Sequence, residues 1–210
     1  MPVRAVLFDM DGVLIDSYGA WRRVVDDARE RFGRPPLDDD EFAGGWGQGL
    51  DADVVRWFTG VSQAELARVY EASFPHHADA VVAMAGAAAL LAALRGRGLS
   101  CACVTNSTGE LARTILRGVG LAAFLDPILG GDEVPRPKPA PDLIHAALAR
   151  LDCRVADAVF VGDTRNDTAA AAAAGVRLIG FRQRAGIPIA DLTELPAILD
   201  RLDAGDRAGR

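Results

Sequence analysis

Five short apolar runs of β type, at residues 3–8, 99–104, 127–129, 158–161 and 176–181, constrain this chain more than any other feature. A helical pattern precedes each of the last four, at residues 87–97, 110–119, 141–151 and 167–174. Strands that alternate with helices predict a parallel sheet covered on both faces, a doubly wound α/β fold. Gly98, Gly120 and Gly175 stand where the helices should stop, since a residue without a β-carbon closes a helix most easily.

Residues 18–83 break this rhythm. They hold all three Trp residues, read mainly as helix and contain no comparable apolar run. Helices are predicted at 20–32, 51–58 and 63–74, separated by Pro35-Pro36 and by a glycine-rich loop at 44–49. In the first, Trp21, Val24, Val25, Ala28 and Phe32 form one stripe, a spacing that buries one face. The expected organisation is an α/β core of residues 1–17 and 84–210, a helical cap inserted at 18–83 with hinges at 15–19 and 80–86, and a frayed tail at 203–210.

Half the residues are apolar, yet no stretch approaches the roughly 20 needed to span a bilayer. The Ala-rich stretch after Val81 is broken by Arg95 and Arg97. Met1-Pro2-Val3-Arg4 runs straight into the first apolar run, which leaves no room for a signal peptide. A cytoplasmic protein with no membrane partner is therefore expected. A net charge of −6 argues against a nucleic-acid partner, because phosphate-backbone binding needs clustered Lys and Arg. Any anionic ligand must be held by local groups. Cys101, Cys103 and Cys153 lack metal-site spacing and read as core thiols.

In a doubly wound sheet, ligands collect at the carboxyl ends of the strands. The first run ends in Asp9-Met10-Asp11-Gly12, the second in Thr105-Asn106-Ser107 and the fourth in Gly162-Asp163-Thr164-Arg165-Asn166-Asp167, while Lys138 follows the third between Pro137 and Pro139. One Asp after a strand is ordinarily a helix cap or turn former. Four at matching strand ends indicate a site. Asp9, Asp11, Asp163 and Asp167 would repel one another without a cation, and oxygen donors of this kind select a hard ion such as Mg²⁺. The Thr105 hydroxyl and the Lys138 ammonium add the donors a phosphoryl group requires, although Lys138 alone would read as a solvated charge. There is no glycine-rich loop ending in Lys-Ser/Thr, which argues against a nucleotide triphosphatase of that type.

Several neighbours take ordinary readings. Residues 169–174 are helix-forming alanines that let a helix lie close to the sheet. Asp132 and Glu133 follow a Gly pair and read as a surface turn, His76 and His77 as exposed, and His145 has no metal partners. Asp16 and Ser17 mark a hinge or start a helix.

The segments VLFDMDGVLIDS, VTNST, RPKP and VFVGDTRND, in that order, resemble the four motifs of the haloacid dehalogenase superfamily. With helices inserted just after the first motif, the chain is similar to its phosphoglycolate-phosphatase-like branch over nearly its whole length. The resemblance implies that Asp9 attacks phosphorus to form an aspartyl-phosphate, and that Asp11 protonates the leaving oxygen, activates the hydrolytic water and ligates the metal through its carbonyl. It further implies that Asp163 binds Mg²⁺ directly and Asp167 through water or by orienting the site. Thr105 and the Asn106 amide would bind phosphoryl oxygens, and Lys138 would offset charge. The chemistry requires such a pair independently, because two successive displacements need a nucleophile and a group that serves as acid, then base.

The expected activity is hydrolysis of small-molecule phosphate monoesters. A dehalogenase would have no use for the metal-binding acidic set. A sugar phosphomutase, whose relatives more often show adjacent Glu-Asp in the fourth motif, and a phospho-acceptor module, which Asp11 disfavours, are the competing readings. Specificity belongs to the cap. There Trp46, in the loop at 44–49, is the candidate substrate contact, against the ordinary reading that it packs between helices. No feature of the sequence sets an oligomeric state.

Overall fold

The computed structural model describes residues 2–208. From β1 (Ala5–Phe8) the chain passes through β2 (Ile15–Asp16) into four helices, α1 (Tyr18–Arg31), α2 (Asp39–Ala43), α3 (Leu50–Arg56) and α4 (Gln63–Ser73). It returns through β3 (Val82–Ala83), which pairs antiparallel with β2. The remainder alternates: α5 (Ala87–Gly96), β4 (Ser100–Val104), α6 (Gly109–Gly118), β5 (Ile128–Leu129), α7 (Asp142–Arg150), β6 (Ala158–Gly162), α8 (Arg165–Ala174), β7 (Arg177–Phe181), β8 (Ile187–Ile189) and α9 (Leu195–Ala208).

Six strands form a parallel sheet in the order β5-β4-β1-β6-β7-β8. The chain moves outward from β1 to β5, then crosses to β6 on the other side of β1. Ligand crevices open beside such a reversal, at the carboxyl ends of the strands. Side chains alternate between two cores. Val6, Phe8, Cys101, Cys103, Val159 and Val161 face one, covered by α5, α6 and α9, whereas Ala5, Leu7, Ala102, Val104 and Phe160 face the other, covered by α7 and α8. Continuous apolar strands follow from this double burial.

All five predicted runs form strands, and Gly98, Gly120 and Gly175 adopt φ of 79°, 76° and 72° where the helices stop. The short edge strand β8, where Pro188 is tolerated because one side needs no partner, was not foreseen. Nor was α2, whose five residues are fixed by a reciprocal cap between Asp38 and Glu41 and by burial of Phe42. The expected frayed tail is corrected. Residues 203–208 continue α9, which Leu195, Ile198 and Leu199 bury against the core, and Asp203 Oδ1 accepts from the Val3 N–H at 2.8 Å. Residues 209 and 210 lie outside the described residues.

Candidate active site

The carboxyl ends of β1, β4 and β6 meet the start of α8 and the segment carrying Lys138. Asp9 leaves β1 with its N–H bonded to the Val161 carbonyl and is 5% exposed. Lys138 is buried rather than solvated. Its Nζ donates to Asp9 Oδ1 at 2.6 Å and to Asp167 Oδ1 at 2.8 Å, and lies 5.6 Å from the centre of the Phe160 ring. Burial disfavours the ammonium, but the carboxylates of Asp167 and Asp9 outweigh it and raise the Lys138 pKa. Lys138 is therefore a fixed cation at neutral pH.

Asp167 is fully buried because it completes a capping box at the start of α8. Its Oδ2 accepts from Thr164 N–H at 2.9 Å and Thr164 Oγ1 at 2.6 Å. Both its oxygens are thus engaged. Asp9, Asp163 and Asp167 each place one oxygen within 4.8 Å of the others. Asp163 Oδ1 is buried with no hydrogen-bond partner among the described residues. Burial, followed by the charge of Asp167, pushes the Asp163 carboxyl up to about 7; burial and then the same charge hold Asp9 well above the carboxylate range. An orphaned carboxylate oxygen among converging acids suits a hard divalent cation, whose charge would reverse these shifts.

Two glycines permit this convergence. A β-carbon at Gly12, which sits at φ +82°, would lie 2.2 Å from Asp163 Oδ2, and one at Gly162 would lie 2.4 Å from the Asp167 Cβ. Contact is impossible with any side chain there.

Asp11 stands apart from the three-acid cluster. Its Oδ1 accepts from Ser17 Oγ at 2.5 Å and from the Trp21 indole N–H at 3.0 Å, and its Oδ2 from Ser107 Oγ at 3.3 Å. Burial raises its pKa, against these hydrogen bonds. Ser17 precedes α1 without capping it and donates to Asp11 instead. Trp21 belongs to the apolar stripe but carries a polar duty that helical spacing does not reveal. An indole can do both, being apolar on its faces and a donor at one edge.

Thr105 is 1% exposed, and its Oγ1 accepts from the Ser107 N–H at 3.2 Å. The Asn106 side chain clamps the Lys138 main chain, donating to its carbonyl at 2.9 Å and accepting from its N–H at 2.9 Å. The Asn106 side chain is thus taken up by the protein itself.

Residues 44–49 lie against this rim. The Gly47 carbonyl accepts from Asn166 Nδ2 at 2.9 Å and Asn106 Nδ2 at 3.3 Å. Trp46 packs on Tyr18 with ring centres 4.9 Å apart, yet it also lines the cleft that begins at Asp9. Asp132 and Glu133 take structural positions, accepting from the main-chain N–H groups of Gly109 and Gly130. His76 is exposed, but His77 is half-buried and meets Asp27 Oδ2 at 2.7 Å.

The family model for haloacid dehalogenase-like hydrolases matches residues 6–181. Phosphoglycolate phosphatase 1 of Pseudomonas aeruginosa is 32% identical over 222 residues, spanning 98% of this chain and 80% of that protein. Among solved structures, CbbY from Rhodobacter sphaeroides in complex with phosphate superposes with a TM-score of 0.80 at 25% identity, over 94% of this chain and 99% of the other. A hydrolase from Pseudomonas syringae superposes at 0.82 with 22% identity, covering 94% and 98% of the two chains, a likeness of fold. Motif, topology and site geometry agree with these matches: the chain belongs to the haloacid dehalogenase-like hydrolase family, on its phosphoglycolate-phosphatase-like branch of phosphoric monoester hydrolases.

Proposed function

We propose that this protein hydrolyses small-molecule phosphate monoesters in two displacements, with Asp9 as nucleophile and an aspartyl-phosphate between them, in the presence of Mg²⁺. The observation that carries this reading is the pairing of a buried carboxylate held by Lys138 with a separate carboxyl, Asp11, aimed by Ser17, Trp21 and Ser107. Two acids in different settings are what an attacking group and a proton-transfer group require.

In this reading Lys138 orients Asp9 by its Oδ1 and leaves the other oxygen to attack in line. Asp11 gives its proton to the departing alcohol oxygen, then takes one from the water that attacks the phosphoenzyme. Thr105 and the main chain of Asn106 bind phosphoryl oxygens. Asp9, Asp163 and the Asp11 carbonyl would hold Mg²⁺, with Asp167 orienting the set through Lys138 and Thr164. Bound there, the ion supplies neutralisation of phosphoryl charge.

Residues 18–83 act as a cap that excludes water and contacts the leaving group, with Trp46 among its contacts. The proposed setting is the cytoplasm, where a small phosphorylated metabolite is the partner; no helix among the described residues is long and apolar enough to cross a membrane. Phosphate release from p-nitrophenyl phosphate, with Mg²⁺ and with excess chelator, tests the reading. Metal-dependent release is expected, and its absence at every metal concentration would overturn the proposal.

A further inference from the structure

The cleft does not end at the phosphate position. It extends from Asp9 and Lys138 into the inserted helices as a half-open cleft with a cavity volume of about 90 Å³. Its far walls are aromatic, formed by Trp21, Phe42, Trp46, Trp57 and Tyr70. These rings brace one another. Phe42 stacks on Trp57 with centres 5.9 Å apart, and Trp21 meets Tyr70 edge-on at 5.5 Å.

One acid is set in this aromatic wall. Asp53 on α3 is 8% exposed, and its oxygens accept from Gln48 Nε2 at 2.5 Å and the Tyr70 hydroxyl at 3.0 Å. Both donors are neutral, and no salt bridge reaches Asp53 among the described residues. A buried carboxylate without a cation is costly to a fold. Each oxygen still has a lone pair to offer. The indole N–H of Trp57, in the same wall, is buried with no partner among the described residues. Among the described residues that line the cleft, Lys138 is the one Lys or Arg, and it is already engaged by Asp9 and Asp167; the cap side carries Asp53 and Glu71.

We infer that this cleft selects phosphate esters whose leaving group has an aromatic body and a hydrogen-bond donor received by Asp53, and that it disfavours leaving groups bearing a carboxylate. The inference rests on the phosphatase reading and specifies its substrate class. A phosphorylated hydroxy acid such as phosphoglycolate would bring its carboxylate toward the acids Asp53 and Glu71, where no Lys or Arg among the described lining residues is free to meet it and its desolvation goes uncompensated. An aryl group would instead cover the indole faces, and its hydroxyl or ammonium would use the free lone pairs of Asp53. Asp53 is a specificity residue, remote from the reacting phosphorus.

Calorimetric binding to the Asp9→Asn protein in Mg²⁺, which holds esters without turnover, tests this directly. The ligands are 2-(4-hydroxyphenyl)ethyl and 3-(4-hydroxyphenyl)propyl phosphate, their phenyl counterparts without the hydroxyl, and phosphoglycolate. At least one hydroxylated ester should bind about tenfold more tightly than phosphoglycolate and about fivefold more tightly than its own phenyl counterpart. Introducing Asp53→Asn should shrink the second ratio toward one. Equal or tighter binding of phosphoglycolate, no preference for the hydroxyl in either pair, or no binding of any ester would overturn the inference. Wild-type turnover of p-nitrophenyl phosphate decides separately on the phosphatase reading, so a preference for phosphoglycolate with that turnover intact removes this inference alone.

Discussion

Lys138 shows most clearly how a residue's role depends on its surroundings. In sequence it is a charge between two prolines; in the fold it is an ammonium shared by two buried carboxylates. Breaking a buried ion set by removing one member costs about 3–5 kcal/mol, because the remaining charges are left uncompensated. Lys138→Met should therefore lower the melting temperature of the metal-free protein, recover part of that loss in Mg²⁺, and reduce kcat roughly a hundredfold or more. A surface lysine would change neither quantity by much. Asp9→Asn keeps the shape and the Lys138 contact, and should abolish turnover with an unchanged circular dichroism spectrum. Trp21 positions Asp11, and a hydrogen bond to a charged acceptor is worth about 1.5–3 kcal/mol. Trp21→Phe should slow an alkyl phosphate about tenfold and p-nitrophenyl phosphate less, since a good leaving group does not need the proton. Its pH–rate profile should also move. The indole bond lowers the Asp11 pKa, so removing it should shift the Asp11 limb to higher pH.

At the scale of elements, α8 and the turn that leads into it from β6 carry Asp167 and Asp163. The alanine run of α8 buries Ala170, Ala171 and Ala174 against the sheet, and the absence of a side chain at Gly162 lets Asp167 come down onto β6. Gly162→Ala puts a methyl 2.4 Å from the Asp167 Cβ, so α8 must shift. We expect a loss of about 1–3 kcal/mol in denaturant unfolding, together with a raised Mg²⁺ requirement for activity. Asp163→Ala should raise the Mg²⁺ midpoint more than Asp167→Ala, because Asp163 holds the orphaned oxygen while Asp167 is engaged by protein donors. An unchanged midpoint for Asp163→Ala would contradict that order. In α3, burial foremost pushes the Asp53 carboxyl up to about 7 from an ordinary value of 3.8, against the bonds from Gln48 and Tyr70. A carboxyl raised by folding contributes stability that is present below the unfolded pKa and lost as pH rises through the folded one. The wild type should therefore lose stability relative to Asp53→Asn between pH 4 and pH 7 or slightly above, by about 4 kcal/mol at most. Melting curves of both proteins across that range check the sign. A difference that stays flat would mean that Asp53 titrates normally.

Across the whole molecule, the inserted helices and the sheet close over one cleft, with the Gly47 carbonyl tied to Asn106 on one rim and Asn166 on the other. Trp46→Ala should thus affect binding of a bulky ester more than turnover of p-nitrophenyl phosphate; parallel losses with a lowered melting temperature would assign it to packing. The sequence by itself determined the doubly wound sheet, because strands buried on both faces must be apolar throughout and must alternate with helices. It also marked the acids and donors, because ligand chemistry collects at the carboxyl ends of the strands: Asp and Thr follow the first, second and fourth runs closely, and Lys138 comes after the third. It could not supply the short edge strand β8 or the helix α9, whose burial depends on partners far away in the chain. Nor could it separate Asp11 from the three-acid cluster, give Asn106 to the Lys138 main chain, or show that Trp21 reaches Asp11. Those assignments are contacts between segments about 10 to 100 residues apart, and local periodicity carries no information about which side chains meet across such distances. Asp53 makes the same point most sharply. Nothing in the sequence around it marks it out, and only the folding of α3 and α4 around one cleft turns it into a buried carboxyl that lines that cleft.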